Sequence, residues 1–447
     1  MITAMNPVIA LPPGPKSSPT IQTLRWATKP DVFMEGYRKQ FGDAFTLHFL
    51  GNDQPHVMVS NPDVNHAIIA NKDNGLPSWR AKLIKPFAGP TSMFLLEGAE
   101  HLAMRRTLLP AFHGDHVATY EEVIREQIVS DIQGWPTDEP FALHPRMQQV
   151  TLEVIMIAIF GLSDDQRRVE FAALLVRLLK LQGSTPRVLV SLLATRLGRR
   201  GPHSQTDEVL DQIKTFLTDE ITKRRAASDI AERDDLLSML LLADSKSDDS
   251  GKLDDATVRD QLITLLFAGH ETTANTIAWT IELLLQNPVV LKRLMDEIDG
   301  DGDDTSYLGA VIEESMRLRP VSPLIGRRLA EDLHTDSLSL PAGTDVVIST
   351  WLTHTRPDIY PQPYAFKPER FIDNRHDTYA WLGFGGGIRR CPGAPFADLE
   401  LRVTLTEILK RRVLQLAGSK TERVALGTFG LTLAPRYGVM VSASPRS

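Results

Sequence analysis

A mostly α-helical chain with a small β-rich region is what this sequence predicts, on three observations. From about Asp115 to Met295 the apolar residues recur at helical spacing, in long segments separated by Gly, Pro and Ser breaks. Alternating, strand-like patterns are confined to short stretches near 44–60, 329–350 and 424–442. No internal repeat and no interior Pro/Ser-rich linker divides the chain. Helices and strands are therefore expected to interweave in a single domain, residues 1–447, behind a proline-rich segment at 1–20.

The elements follow in order. The opening MITAMNPVIALPPGPK has too short an apolar run for a signal peptide or a membrane anchor. Residues 44–60 alternate around Gly51-Asn52-Asp53, which predicts a hairpin. The polar, acidic stretch 244–255 reads as a solvated connector. Gln261 to Gln286 is a long, mainly apolar stretch that carries His270, Glu271, Thr272, Thr273 and Asn275 at its middle. Those groups are too costly against lipid, so a helix of ~28 residues, ~42 Å long, is expected inside the protein. Asp299, Asp301 and Asp303 match the start of a calcium loop, but Asp304 stands at its glycine position and Ala310 at its glutamate position. An acidic loop is the better reading. Turns at Pro341-Ala342-Gly343 and Pro435-Arg436-Tyr437-Gly438 punctuate the two later strand regions.

Composition narrows the function. The 447 residues carry 49 Lys+Arg against 56 Asp+Glu, a net charge of −7, and 42% are hydrophobic. That apolar content excludes a disordered chain, and the mild acidity argues against bulk attraction to nucleic acid. A single cysteine excludes an intrachain disulfide and a four-thiolate metal site, and suits a reducing cytoplasm.

That cysteine has an informative setting, Phe384-Gly-Gly-Gly-Ile-Arg-Arg-Cys391-Pro-Gly393. Three successive glycines let backbone lie close to something flat or bulky. Pro392, Gly393 and Pro395 suit a helix entry, and the apolar spacing that follows continues for about five turns. Cys391 is thus expected at a helix N-terminus, where backbone N–H groups and Arg389 and Arg390 favour a thiolate. A small buried hydrophobe or a nucleophilic thiol would be the other uses of a lone cysteine.

F-x-x-G-x-R-x-C-x-G, filled by Phe384, Gly387, Arg389, Cys391 and Gly393, resembles the haem-binding signature of the cytochrome P-450 superfamily. The resemblance implies a triangular helical prism around haem b, with a haem-binding core at about 259–412 and Cys391 as the proximal iron ligand. Ala268-Gly269-His270-Glu271-Thr272-Thr273 resembles the family's oxygen-activation helix. By position, Glu271 would be the acid and Thr272 the alcohol that deliver protons, with Gly269 leaving room for dioxygen beside the iron. Glu314, Arg317 and Arg370 match a buried structural network, although an i, i+3 pair alone is usually a surface ion pair. His101, Arg105, Arg327 and Arg389 match the positions that hold the haem propionates, with Arg328 the alternative to Arg327.

The resemblance implies a haem-thiolate monooxygenase that hydroxylates or epoxidises a small lipophilic substrate. It would be a cytoplasmic monomer without a membrane anchor or a nucleic-acid partner. The chain shows no flavin or nicotinamide domain, so electrons would come from a ferredoxin or flavodoxin and its reductase. A peroxide-driven or non-oxygenating enzyme and a haem-thiolate sensor are the alternatives. Between Phe171 and Thr206 lie Arg177, Lys180, Arg187, Arg196, Arg199 and Arg200 but no Asp or Glu. By resemblance this is the lid over the substrate channel, suited to an acidic lipid, a membrane surface or an acidic carrier, or simply a solvated face.

Overall fold

The expected long helix runs from Asp255 to Gln286, 32 residues. It begins where Asp254 accepts the Thr257 N–H at 2.7 Å and ends before Pro288, which opens the next helix, Pro288–Ile298. We call it the central helix, because helices Leu143–Phe160, His203–Ala226, Ser306–Leu318 and Ala394–Arg411 all pack against it. These data come from a computed structural model that describes residues 9–446 except 138, 162–164, 183–202, 246–252, 301–304, 373–376, 419–421 and 428–429. It is 58% helix and 11% strand.

The apolar faces of these helices make one core, in which Ile155, Phe160, Leu266, Ile277 and Leu405 are almost wholly buried. Helix Leu143–Phe160 stops at Gly161, whose left-handed backbone (φ 55°) returns its N–H to Ile157 O at 2.8 Å.

The hairpin expected at 44–60 forms, with Ala44–Leu47 antiparallel to His56–Val59. It extends into a four-stranded sheet through the parallel strand Asp345–Ser349 and then antiparallel Leu324–Arg328. The two arginines of this last strand differ: Arg327 is buried, whereas Arg328 pairs with Asp345 at 2.8 Å. The strand-like residues 424–442 split between two sheets. Val424–Leu426 pairs with Leu433–Pro435, while Met440–Pro445 joins Arg412–Leu416 and Phe141–Ala142.

Among the described residues no helix is long and apolar enough to cross a membrane. Asp299, from the rejected calcium pattern, forms an ion pair with Arg446. Most of the basic stretch, including Arg187, Arg196, Arg199 and Arg200, lies outside the described residues. Arg177 is described, and it stands half exposed 4.0 Å from Glu208.

Candidate active site

The cysteine loop is closed by one backbone bond, Cys391 N–H to Phe384 O at 2.9 Å. Gly385 and Gly387 take positive φ (71° and 63°), and a Cβ on Gly387 would come 2.8 Å from both Cγ2 and O of Ile69. Glycine is therefore required there by conformation and by space. Gly393 caps the helix Ala394–Arg411, called the cysteine helix below.

The thiol departs from expectation. The cysteine is exposed, yet the protein packed closely around it pushes the thiol up, and the Gly393 N–H, Arg105 and Arg390 only partly offset this. A nucleophilic cysteine needs its ionisation lowered by the protein, whereas a metal ionises a coordinating thiol directly. Among the described residues no three His, Cys, Asp or Glu side chains gather to hold a metal. A porphyrin would bring its metal's other ligands with it.

The Glu314 network is assembled around full burial. Arg317 donates from Nε and Nη2 to the two Glu314 oxygens at 2.6 and 2.8 Å, with both side chains at 0% exposure. Arg370 Nε lies 3.5 Å from Glu314, and Arg370 Nη2 donates to Pro361 O at 2.6 Å. Arg317 Nη1 also holds His354 O and Pro363 O, each at 2.7 Å. The guanidinium thus pins the segment leading to the cysteine loop. Breaking one partner of such a buried pair costs about 3–5 kcal/mol, far above a surface pair.

Basic groups converge from four separate segments. His101 sits in the helix Gly98–Leu108, and its Nδ1 is buried with no hydrogen-bond partner. Arg389 donates from Nη2 to Leu96 O at 2.6 Å and leaves Nε without a partner. Burial, then the charges of Arg389, Arg105, Arg327 and Arg80, push His101 down to about 4. Arg105 lies at the cysteine end, with Nη1 donating to Arg390 O at 2.7 Å. Unpaired buried donors beside guanidinium groups are the chemistry that carboxylates require, so this donor set fits the two propionates of haem. Arg80 was invisible to sequence reasoning, because one arginine in a mixed helix carries no pattern.

On the central helix every residue from 260 to 284 is buried except Phe267, Ala268, Gly269 and Thr272. Ala268 and Thr272 share one face, and the Thr272 hydroxyl donates to Ala268 O at 2.6 Å. Gly269 also makes room for protein: a Cβ there would collide with Cδ1 of Ile155, so glycine lets the neighbouring helix Leu143–Phe160 pack close. Glu271 is buried and reaches the hairpin of Val424–Leu426, where a Cβ on Gly427 would lie 2.5 Å from its Oε1. Contacts of that kind between distant segments leave no trace in a sequence.

Comparison with known proteins is consistent with this arrangement. The cytochrome P450 family profile matches residues 12–440. Cytochrome P450 135B1 of Mycobacterium tuberculosis is 35% identical over 430 residues, covering 94% of this chain and 88% of its own. Cytochrome P450 137 of the same organism is 35% identical over 436 residues, covering 92% and 90%. In fold, the solved structure titled retinoic acid bound cyanobacterial CYP120A1 superposes with a TM-score of 0.83 at 23% identity, covering 98% of this chain and 100% of that one. Members of this family bind haem and act in general as haem-thiolate monooxygenases. The chain belongs to the cytochrome P450 family.

Proposed function

We propose that Cys391 would hold the iron of haem b through its thiolate, and that the protein inserts oxygen into a lipophilic small molecule using electrons from a separate ferredoxin or flavodoxin and its reductase. The observation that carries this reading is the pairing of the chain's one cysteine, exposed at the loop, with buried, unpartnered donors on His101 and Arg389. His101, Arg105, Arg327 and Arg389 would hold the propionates, while Phe384, Gly387 and Gly393 shape the thiolate loop.

Bound haem supplies reductive activation of dioxygen, one atom entering the substrate and the other leaving as water. The chain's part is proton handling and exclusion of water. Thr272 presents a hydroxyl on the one accessible face of the central helix, next to Ala268. Glu271 supplies protons to that hydroxyl from its place against the Gly427 hairpin. The loop Gly89–Met93 is clamped to the central helix. Asp260 accepts the Thr91 hydroxyl at 2.8 Å, and Gln261 accepts the Met93 N–H at 3.0 Å.

The test is Cys391→Ser, read from the reduced carbon-monoxide complex. Loss of the red-shifted Soret band is expected, and its retention overturns the assignment. Product formed only with a surrogate ferredoxin system separates this reading from a peroxide-driven enzyme or a sensor.

A further inference from the structure

Arg80 lies in the first turn of the helix Ser78–Ala88. The start of that helix is packed on the sheet: a Cβ on Gly326 would come 2.8 Å from Pro77 Cγ and 3.2 Å from Trp79 Cζ2. Arg80 and Arg327, each one residue beyond that contact, are thereby drawn together. The Arg80 guanidinium lies over the Phe94 ring, 5.6 Å from its centre, two residues before the Leu96 carbonyl that holds Arg389. Three guanidinium groups from distant segments thus meet in one place.

Their charges are not balanced by the protein. The Arg80 guanidinium makes no hydrogen bond or ion pair among the described residues, and its Nε is buried without a partner. Its side chain keeps some accessible surface, yet it is surrounded so closely that burial and then the Arg389 charge pull it down to about 10. Burial, then Arg389 and Arg80, pull Arg327 down to about 9. Of the carboxylates nearby, Glu97 acts on Arg389 but not on Arg80, and it already accepts the Leu76 N–H. A desolvated cation among like charges is strongly unfavourable unless an anion joins it.

We propose that Arg80 is a carboxylate-binding residue, pairing its planar fork with an anion held between the helix Ser78–Ala88 and the Arg327 strand. The proposal rests on the haem-thiolate reading. The carboxylate has two possible sources, a haem propionate or the acidic end of a substrate. Phe94 beneath the guanidinium holds the fork in plane, which favours a two-point contact over a point charge.

The test uses the haem-loaded protein and its Arg80→Gln and Arg80→Lys variants. One arm measures the rate of haem transfer to excess apomyoglobin. The other compares a long-chain fatty acid with its methyl ester, through the spectral shift of the oxidised protein. A propionate contact predicts haem transfer faster by about tenfold in Arg80→Gln, the loss of one charge-assisted contact. A substrate contact predicts unchanged haem transfer and an acid-over-ester preference that falls by about the same factor. Arg80→Lys keeps the charge and lacks the fork, so it falls between the two. It carries the same comparison if Arg80→Gln does not accumulate. Unchanged haem transfer together with an unchanged acid-to-ester ratio, or no binding of either, overturns the proposal. Cys391 is untouched throughout, so loss of the red-shifted carbon-monoxide band in wild-type protein indicts the thiolate reading and not Arg80.

Discussion

His354 and Leu382 are joined by a 2.8 Å hydrogen bond, in which the buried imidazole Nε2 accepts the backbone N–H two residues ahead of Phe384. The other ring nitrogen faces Arg317 O at 3.2 Å, so its partners assign a neutral ring with the proton on Nδ1. One histidine therefore ties the Glu314–Arg317 network to the loop that carries Cys391. His354→Phe leaves the Leu382 N–H unpaired at a cost of about 1–3 kcal/mol. The expected result is a mixed carbon-monoxide spectrum, with part of the red-shifted band lost. His354→Gln, whose amide oxygen can still accept, should restore most of it.

The Thr272 hydroxyl makes a 2.6 Å bond to Ala268 O, and a methyl group cannot replace its proton. Thr272→Ala should bind haem and substrate normally but divert electrons to peroxide. Thr272→Ser should keep the coupling of electron use to product. Equal coupling in all three proteins would mean that Thr272 only fills space.

Gly269 gives a packing test that is independent of catalysis. Gly269→Ala drives a methyl group into Ile155 Cδ1 and should destabilise the fold by roughly 1–3 kcal/mol. Ile155→Val removes that one carbon. The double variant should recover most of the loss in thermal unfolding, although Ile155→Val alone costs about 0.5–1.5 kcal/mol. Simple additivity of the two losses would show that the Gly269 Cβ direction is wrong.

Electron delivery separates two basic groups that look alike in sequence. Arg390 is exposed beside Cys391. In the run Lys410-Arg411-Arg412 at the far end of the cysteine helix, Arg411 pairs with Glu407, and Arg412 donates to Ile132 O at 2.9 Å. Arg390→Glu should slow reduction by an acidic ferredoxin by about tenfold at low ionic strength, and the difference should fade with salt. Arg411→Glu should leave the rate close to wild type.

What the sequence made legible follows from locality. The glycine-rich loop, the cysteine and the helix after it occupy one short stretch, and local pattern predicts local geometry. The hairpin Ala44–Val59 and the central helix are legible for the same reason. Arg80, His354 and the seat of Glu271 against Gly427 are products of contacts between segments up to 309 positions apart, as with Arg80 and Arg389. The Ile155 contact that also calls for a glycine at 269 lies on another helix and was not legible. The different surroundings of Arg327 and Arg328 come from the strand's neighbours: Arg328 faces Asp345, and Arg327 the buried arginine cluster.

Glu400 sets the last expectation. It lies on the cysteine helix against the central helix, with Thr273 as hydrogen-bond donor and Oε1 unpartnered. Burial pushes its carboxyl up to about 8 from 4.5, and the Thr273 bond opposes this. Between those values the folded protein keeps the proton and the unfolded chain releases it. The unfolded state then binds fewer protons, so stability falls as pH rises from about 4.5 to about 8. Two buried histidines act oppositely at lower pH. Burial holds His144 and His270 at about 4, below 6.5, so their contribution rises with pH across that window. Above pH 6.5 the histidine contribution is level, and Glu400 alone of these three keeps lowering stability. Glu400→Gln keeps the shape and cannot ionise. Its thermal midpoint should match wild type near pH 5 and exceed it at pH 8, the gap growing by on the order of 1 kcal/mol per pH unit. Parallel midpoint curves for the two proteins from pH 5 to 8 would show that Glu400 is already ionised in the folded state.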